Sequence, residues 1–571
     1  MEGFFKDLTY AWRGLRRSPG VTFIAGAALA LGIGLTTVMF SITYGALHRG
    51  LPFPGAERLM HLARANPSQG INQMQVTIHD FRDWEARQRS FEELGAFFQG
   101  TVNIRGTERP ERYSGAFMTA NAFRIVGVQP VLGRAFTPEE ELPGAPQVVV
   151  LGHRIWQERF GGSPDVLGAS VTVNGEAGTV IGVMPEGFEF PVLEEVWVPL
   201  RLDAVALPRG DGQALDVFGK LRDGVSLDAA MAEFSGITAQ LAGEHPETNE
   251  GVTALIVPYA SRFIGDEAEG ILTAMLLSVI LVLLIACANV ANLLLARAAT
   301  RTRDLAVRTA MGAHRWRVVT QVLAEALVIA LAGAVAGTVI AWAGITLFDR
   351  AVQPTDPPFW LVFKLDAPIF AFVLAVTGLA AVAAGILPAL KASRSDVNAI
   401  LKDESRGSSS LAIGRLSRVL VMGEVAMSMA LLVASALMMK GVLTLNAEEY
   451  PFPTEDVFTA RVGIFEERFP EPADRLLFWE DVERRVAAIP GVRSAALTQT
   501  LPGLGSPSNR FSVEGESYAA EQDLPWTHMV VATPSFGETF GLEPLRGRWL
   551  EEADDAGATP VAVVNQRFAD R

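Results

Sequence analysis

The sequence predicts an α-helical membrane protein with five transmembrane helices and large mixed α/β extracytoplasmic domains. Three observations lead to this fold class. Hydrophobic residues make up 49% of the 571 residues, and the mean hydropathy of +0.26 is high for a water-soluble protein. Five apolar segments are each long enough to cross a bilayer, which takes roughly 20 residues. A long segment after the first of them carries strand and turn patterns, and part of it recurs after the fifth.

The predicted transmembrane helices contain charged residues only at Glu325 and Glu424. Residues 1–47 are expected to form an amphipathic interfacial helix and then the first transmembrane helix. The first apolar run exceeds the roughly 7 to 15 residues of a cleaved signal peptide, so we expect an uncleaved anchor. The five predicted transmembrane helices cover residues 21–47, 271–296, 318–348, 367–390 and 419–439.

Basic residues determine the predicted orientation, because Lys and Arg in short loops remain on the cytoplasmic side of a membrane. Four of them precede the first helix, and the segments 297–317 and 391–418 each contain six. The segment 48–270 and the loop 349–366 fall on the opposite side and have no basic excess. We therefore expect a multi-pass protein with a cytoplasmic N-terminus, a cytoplasmic loop at 297–317 and a cytoplasmic linker at 391–418.

Residues 48–270 are predicted to form a mixed α/β domain. The sequence QVVVL at 147–151 is typical of a buried strand, and Asn174-Gly175 is a strong signal for the turn of a β-hairpin. Apolar residues at helical spacings in the segment 77–98 predict a helix that packs on the core. These residues are Phe81, Trp84, Phe91 and Leu94.

An internal repeat places a partial second extracytoplasmic domain at 440–571. Residues 127–150 match residues 541–564 without a gap, at a constant offset of 414. At this offset Arg571 aligns with Gln157, so we expect a second copy that is cut short and a C-terminally truncated chain. The matching pairs are Gly127 and Gly541, Pro130 and Pro544, Gly133 and Gly547, Arg134 and Arg548, Pro146 and Pro560, Val149 and Val563, and Val150 and Val564.

The sequence contains no motif of an enzyme active site. It lacks a phosphate-binding loop, an HExxH motif and a His/Cys cluster at metal spacing. We therefore expect no catalytic residues, no metal and no directly bound cofactor. Nucleic-acid binding is not expected either, because the basic residues lie beside membrane segments in a chain of net charge −15. Glu325 and Glu424 leave open a proton-coupled secondary transporter, since ionisable groups inside a membrane are often functional.

The loop 297–317 has more features than membrane orientation requires. On a helix Asp304 can pair with Arg301 or Arg308, and Gly312 is placed to end that helix. Small residues between the arginines form a face that fits a groove on another protein. These features alone do not decide whether the loop docks on a partner or whether its charges only retain it in the cytoplasm.

The stretch RTRDLAVRTAMGAHRWR at 301–317, which follows CANVANLLLARAAT, resembles ABC transporter permeases of the macrolide-exporter and FtsX-like family. LPALKASRSDVNAILKDE after the fourth helix resembles the same family. The resemblance implies that the loop docks on a separate cytoplasmic ABC ATPase subunit, which binds ATP. It implies ATPase-docking roles for Arg303, Asp304, Arg308, Gly312 and Arg315.

The internal repeat resembles the duplicated orphan permeases of that family, in which two permease units are fused. The resemblance implies a bacterial inner-membrane protein without its own ATPase, whose 48–270 segment is a periplasmic core domain. A second permease unit would complete the assembly in the bilayer. The implied function is transmission of ATP-driven motion to the extracytoplasmic domain, for export or other envelope work. A sensor or regulator of an envelope enzyme remains an alternative.

Overall fold

The computed structural model consists of two compact units, one of Met1–Pro67 with Ile71–Met438 and one of Ser68–Gly70 with Met439–Arg571. The residues that the structure describes are 11–13, 15–16, 18–105, 111–202, 206–300, 315–393, 408–447, 452, 454–464, 469, 471–502, 506–518, 524–555 and 557–570.

Within these residues, five helices are long and apolar enough to cross a membrane by their length and composition. They are named here the first to fifth spanning helices in chain order. Buried residues of the first four form one hydrophobic cluster around Leu29, Val290, Ala330 and Ala384. The five helices are Pro19–Leu47, Asp266–Thr300, Arg315–Val352, Ala367–Ser393 and Ser408–Ala447.

The first and third spanning helices approach each other closely at glycines. A Cβ atom added at Gly34 would lie 3.0 Å from the carbonyl oxygen of Gly337, and one added at Gly337 would lie 2.9 Å from that of Ala30. Small residues allow such an approach, which increases van der Waals contact where lipid offers no hydrophobic driving force. The pair therefore fixes the spacing of these two helices.

We expect Gly337→Leu to destabilise the helix bundle by about 1 to 3 kcal/mol, because the added side chain has no space beside the first helix. Thermal unfolding of the detergent-solubilised protein measures the effect. Gly378→Leu in the fourth spanning helix is the matched control, because nothing lies within 4 Å of its Cβ position. Equal loss of stability in both variants would contradict the close approach.

Eleven strands of the described residues form one mixed sheet, the centre of the α/β domain. Its main path runs β11-β1-β10-β3-β4-β9-β6-β8-β5, with β2 beside β1 and β7 beside β3 and β8. Only the pairs β4 with β9 and β6 with β8 are parallel. Together with the five helices, the sheet confirms the predicted fold class. The strands are β1 (Leu59–Asn66), β2 (Ile71–Met74), β3 (Phe91–Arg105), β4 (Glu111–Met118), β5 (Leu132–Gly133), β6 (Gln147–Leu151), β7 (Ser170–Val173), β8 (Glu176–Val183), β9 (Val196–Pro199), β10 (Asp216–Leu221) and β11 (Thr253–Pro258).

Two longer helices of the α/β domain, Ile78–Arg87 and Leu227–Glu244, meet where Trp84 packs edge-on against Phe234. The sequence prediction of a helical pattern over 77–98 is wrong beyond residue 87. Phe91 lies in β3, which pairs with β10. The spacing of three between Phe91 and Leu94 fits a helix, but a register shift in the pairing with β10 buries both side chains in a strand. The predicted hairpin is confirmed, with Asn174 and the glycine after it at positive φ between β7 and β8.

The matching segments of the internal repeat have the same local geometry, each within its own unit. Arg134 forms two hydrogen bonds to Glu140, and Arg548 forms two to Asp554, six residues on in both copies. Each arginine also donates to the carbonyl oxygen of the next residue. The glycine before each arginine has a φ of +79° or +80°. The hydrogen bonds from Arg548 lower the pKa of Asp554 to about 2.

The second unit contains less regular structure among its described residues. The helix Pro472–Ala487 precedes an antiparallel pair of short strands, Ser508–Arg510 and Trp526–His528. Two short helices follow, Phe536–Phe540 and Gln566–Ala569.

Candidate functional site

The loop 353–366 between the third and fourth spanning helices enters the core of the α/β domain. Trp360 is only 2% exposed, and its ring lies 5.1 Å from Phe263 and 6.0 Å from Tyr259. Phe359 packs against Phe53 at 5.6 Å. We name these five residues the aromatic junction. Through it, a loop that belongs to the membrane helices becomes part of the hydrophobic core of the domain.

The same loop is held by the end of the first spanning helix. Nη2 of Arg49 lies 2.6 Å from Oδ2 of Asp366, and the guanidinium group also donates to the carbonyl oxygen of Val362. A Cβ atom at Gly45 would lie 3.0 Å from the ring of Phe363, so a larger residue there would force the ring or the helix to shift. The loop is therefore fixed on its membrane side as well as on its domain side.

A short turn of the α/β domain receives the loop. We name residues 190–194 the receiving segment. The carbonyl oxygen of Phe190 accepts a hydrogen bond from the indole of Trp197, and that of Pro191 accepts one from the Tyr259 hydroxyl. The next carbonyl oxygen, of Val192, accepts the backbone N–H of Phe359 at 3.2 Å. The receiving segment thus presents a fixed acceptor to the loop.

This arrangement can carry movement between the membrane helices and the α/β domain. The domain is joined to the first and second spanning helices through the chain itself, and to the third and fourth through the aromatic junction. Close-packed side chains resist compression, so the aromatic junction attaches the third and fourth spanning helices firmly to the core of the domain. Sequence reasoning missed it. The signal was PPFW at 357–360, but aromatic residues beside a membrane segment are common at the lipid interface.

We expect Trp360→Ala to weaken the attachment of the loop, because truncation of a buried Trp costs about 3 to 5 kcal/mol. Limited proteolysis of the loop 353–366 in the detergent-solubilised protein measures the effect, and faster cleavage is expected. Trp342→Ala is the matched control, because Trp342 is 62% exposed in the third spanning helix. Unchanged cleavage in Trp360→Ala would argue against the junction as an attachment point.

A buried polar cluster lies behind Tyr259 of the junction. His61 is 1% exposed and packs edge-on against Tyr259, while Arg262 pairs with the buried Asp216 at 2.6 Å. Burial, together with the positive charge of Arg262, lowers the pKa of His61 to about 3. Burial raises the pKa of Asp216, and Arg262 opposes that shift. His61 is therefore neutral in the folded protein at neutral pH.

His61 should make the domain sensitive to acid. The unfolded chain takes up a proton at His61 near pH 6.5 and the folded chain only near pH 3, so stability falls as the pH falls through this window. At about 1.4 kcal/mol per pKa unit, we expect the free energy of unfolding of His61→Gln to fall by about 2 kcal/mol less than that of the wild type when the pH is lowered from 6 to 4. Denaturant titrations at both pH values measure this. His153→Gln, in a partly exposed helix, is the control, and equal acid sensitivity of all three proteins would contradict the prediction.

Most of the predicted docking residues lie outside the described residues. These are Arg303, Asp304, Arg308 and Gly312, whereas Arg315 is the first residue of the third spanning helix. Their docking role stays a prediction.

The two charged residues predicted inside the membrane both face the second spanning helix. Oε2 of Glu325 lies 3.9 Å from Nη1 of Arg297. Oε1 of Glu424 accepts a hydrogen bond from Asn292 at 3.1 Å. Arg297 lies in the second spanning helix, which runs to Thr300 and so extends past the predicted boundary at residue 296, and its pair with Glu325 joins that helix to the third. Polar partners of this kind are expected for carboxylates in membrane helices.

A polar cavity of about 210 Å³ lies elsewhere in the α/β domain, between Arg64, Asp80, Arg209 and Asn249. The buried Asp80 accepts hydrogen bonds from both arginines and from Asn249, at 2.7 to 2.8 Å. Because these charges satisfy one another, we assign the cluster to domain stability. In the part of the chain that the structure describes, no three His, Cys, Asp or Glu side chains are grouped to hold a metal ion.

Comparison with protein families gives two matches. The model of the MacB-like periplasmic core domain matches residues 22–237 and again residues 419–571. The model of the FtsX-like permease C-terminal domain matches residues 276–397. The first model covers well over half of the chain, and its second match confirms the internal repeat.

Curated relatives are ATP-binding/permease proteins and permeases. Over 415 residues, 71% of this chain and 60% of the relative, the chain is 26% identical to the macrolide export ATP-binding/permease protein MacB of Nitrosomonas europaea. It is 25% identical to the probable syringafactin export ATP-binding/permease protein SyfD of Pseudomonas syringae over 50% of this chain and 42% of that one. An uncharacterized ABC transporter permease of Bacillus subtilis, YknZ, is 25% identical over 49% of this chain and 66% of its own length. The chain thus spans less than two thirds of these relatives.

Solved structures cover about a third of the chain. A permease domain from Porphyromonas gingivalis is 15% identical, with a TM-score of 0.29, over 36% of this chain and 92% of that one. The periplasmic region of MacB from Actinobacillus actinomycetemcomitans is 17% identical, with a TM-score of 0.28 and the same coverage of both chains.

Proposed function

Because the chain belongs to the family of ABC transporter permeases with MacB-like periplasmic core and FtsX-like domains, we propose that it transmits ATP-driven motion from a separate cytoplasmic ATPase to its α/β domain. The chain itself would bind no ATP. The observation that carries this proposal is the burial of Trp360, because it attaches the loop between the third and fourth spanning helices to the domain that would be moved.

The proposed path begins at the loop 297–317, where Arg303, Asp304, Arg308, Gly312 and Arg315 dock on the ATPase. Displacement there moves the second and third spanning helices, which the Arg297–Glu325 pair joins. The third helix has 38 residues and so spans about 57 Å at 1.5 Å per residue. It leads directly into the loop 353–366 and thus to the aromatic junction.

The orientation in this proposal follows the distribution of basic residues. The segments 297–317 and 391–418 lie in the cytoplasm and the α/β domain lies outside, in the periplasm of a bacterium with the protein in its inner membrane. The repeat supports two permease units in one chain, the second of which includes the fifth spanning helix and residues 440–571. Such an assembly would present two domains to the ATPase stroke.

The proposed work is export or another envelope process, which the α/β domain performs outside the bilayer. Two relatives are named for export, one as a macrolide export protein and one as a probable syringafactin export protein. The aromatic junction transmits force equally well to a domain that regulates an envelope enzyme. Dependence of activity on ATP separates both of these from a proton-coupled transporter that would use Glu325 and Glu424.

We expect the double variant Asp304→Lys, Arg308→Glu to recover at least about tenfold less ATPase than the wild type in a pull-down from native membranes, because it inverts the charges of the docking loop. The full-length gene product is used as bait, and ATP hydrolysis of the recovered material is measured. Asp403→Lys, Arg406→Glu makes the same net-neutral exchange in the other cytoplasmic segment and should bind normally.

Two results would count against this function. Normal ATPase recovery by the Asp304→Lys, Arg308→Glu variant would remove the docking assignment. An intact wild-type protein that recovers no ATPase, and whose activity follows a proton gradient, would remove the ATP-driven mechanism itself.

A further inference from the structure

We propose that Glu194 is a positioning residue of the aromatic junction. The buried carboxylate of Glu194 holds the receiving segment in the conformation that binds the loop 353–366. What this role means for the transmission of motion rests on the proposed function, whereas the contacts of Glu194 do not. Glu194 is 0% exposed and lies at the end of the receiving segment, two residues after Val192.

The carboxylate of Glu194 binds three neutral donors. Oε2 accepts the backbone N–H groups of Val192 at 2.6 Å and Leu193 at 3.0 Å, and Oε1 accepts the side-chain amide of Gln99 at 2.6 Å. Within the described residues, no Lys, Arg or His side chain forms an ion pair with it. A carboxylate without a cation is costly to bury, and its hydrogen bonds therefore determine whether the segment can exist in this form.

The hydrogen bonds of Glu194 act on the peptide group that contacts the loop. The Val192 carbonyl and the Leu193 N–H form one peptide group: the N–H donates to Oε2 of Glu194 at 3.0 Å, and the carbonyl oxygen accepts the N–H of Phe359 on the other side. Without an acceptor at residue 194, two N–H groups of a partly buried turn would lose their acceptor, and the turn would have to change to reach another partner. Such a change turns the Val192 carbonyl oxygen away from the N–H of Phe359, the residue that precedes Trp360 in the loop.

A purely structural role predicts something different. If Glu194 only stabilised the domain, its removal would loosen strands throughout the sheet. If it positions the receiving segment, the effect is concentrated in a loop that is more than 150 residues away in sequence and joined to it through one hydrogen bond and the aromatic contacts. Local hydrogen exchange separates these two cases.

The test is hydrogen exchange, followed by mass spectrometry, of the full chain in detergent without any ATPase. We expect Glu194→Met, which has a similar length and no strong acceptor, to increase exchange in the loop 353–366 on the order of tenfold, with β6 and β9 as protected as in the wild type. Glu195→Met is the matched control, since its carboxylate contacts Arg154 instead. It should leave the loop unchanged.

Glu194→Gln provides the rescue. Its side-chain oxygen can still accept the two backbone N–H groups, and its amide can donate to Gln99 once the Gln99 amide is rotated. Exchange of the loop within about twofold of the wild type is expected, on the same scale of net hydrogen-bond strengths. Loop exchange as fast as in Glu194→Met would overturn the positioning role, because the negative charge and not the acceptor would then matter.

Glu194→Asp decides the case if Glu194→Met does not fold. Its carboxylate is one methylene shorter and no longer reaches both N–H groups, so faster exchange in the loop alone is expected. Wild-type exchange in this variant, or equal loosening of the whole domain, would overturn the proposal. Failure of the proposed function is seen separately, as a wild-type chain that recovers no ATPase while these exchange results hold.

Discussion

The structure depends on the burial of one indole ring. Trp360 belongs to a loop that starts and ends in membrane helices, yet it completes the core of the α/β domain with Tyr259 and Phe263. A buried aromatic side chain of this size gains several kcal/mol from packing, which is enough to keep the loop attached under thermal motion. The contacts of the loop with the end of the first spanning helix, including Arg49 with Asp366, extend this attachment toward the membrane.

The membrane helices are held together by different forces. Close approach at Gly34 and Gly337 replaces the hydrophobic effect, which gives no advantage between two apolar surfaces in lipid. The Arg297–Glu325 pair adds a polar link between the second and third spanning helices. The bundle therefore has its polar link at the end nearest Thr300 and its aromatic link at the end nearest the domain. The function that we propose would require the bundle to couple these two ends.

Prediction from the sequence succeeded where a signal was local. Asn174-Gly175 determined a hairpin because few residues adopt the required positive φ. The repeat was found from spaced glycines, prolines and Arg134 with Arg548, which form the same turn in both copies. Prediction from the sequence failed at Phe91, where the apolar spacing fitted a helix but pairing with β10 produced a strand. Trp360 and Glu194 were missed because their roles arise from contacts with distant residues.

The sequence by itself determined that this is a membrane protein with five spanning segments, an inserted α/β domain and a duplicated unit. Those properties follow from local composition, from the length that a bilayer requires, and from turn residues that repeat at a constant spacing. Only the tertiary structure decided where the loop 353–366 goes and which side chains receive it. An aromatic residue beside a membrane helix has the same sequence pattern whether it faces lipid headgroups or a protein core. The choice is made by the shape of a cavity built from strands far away in the chain.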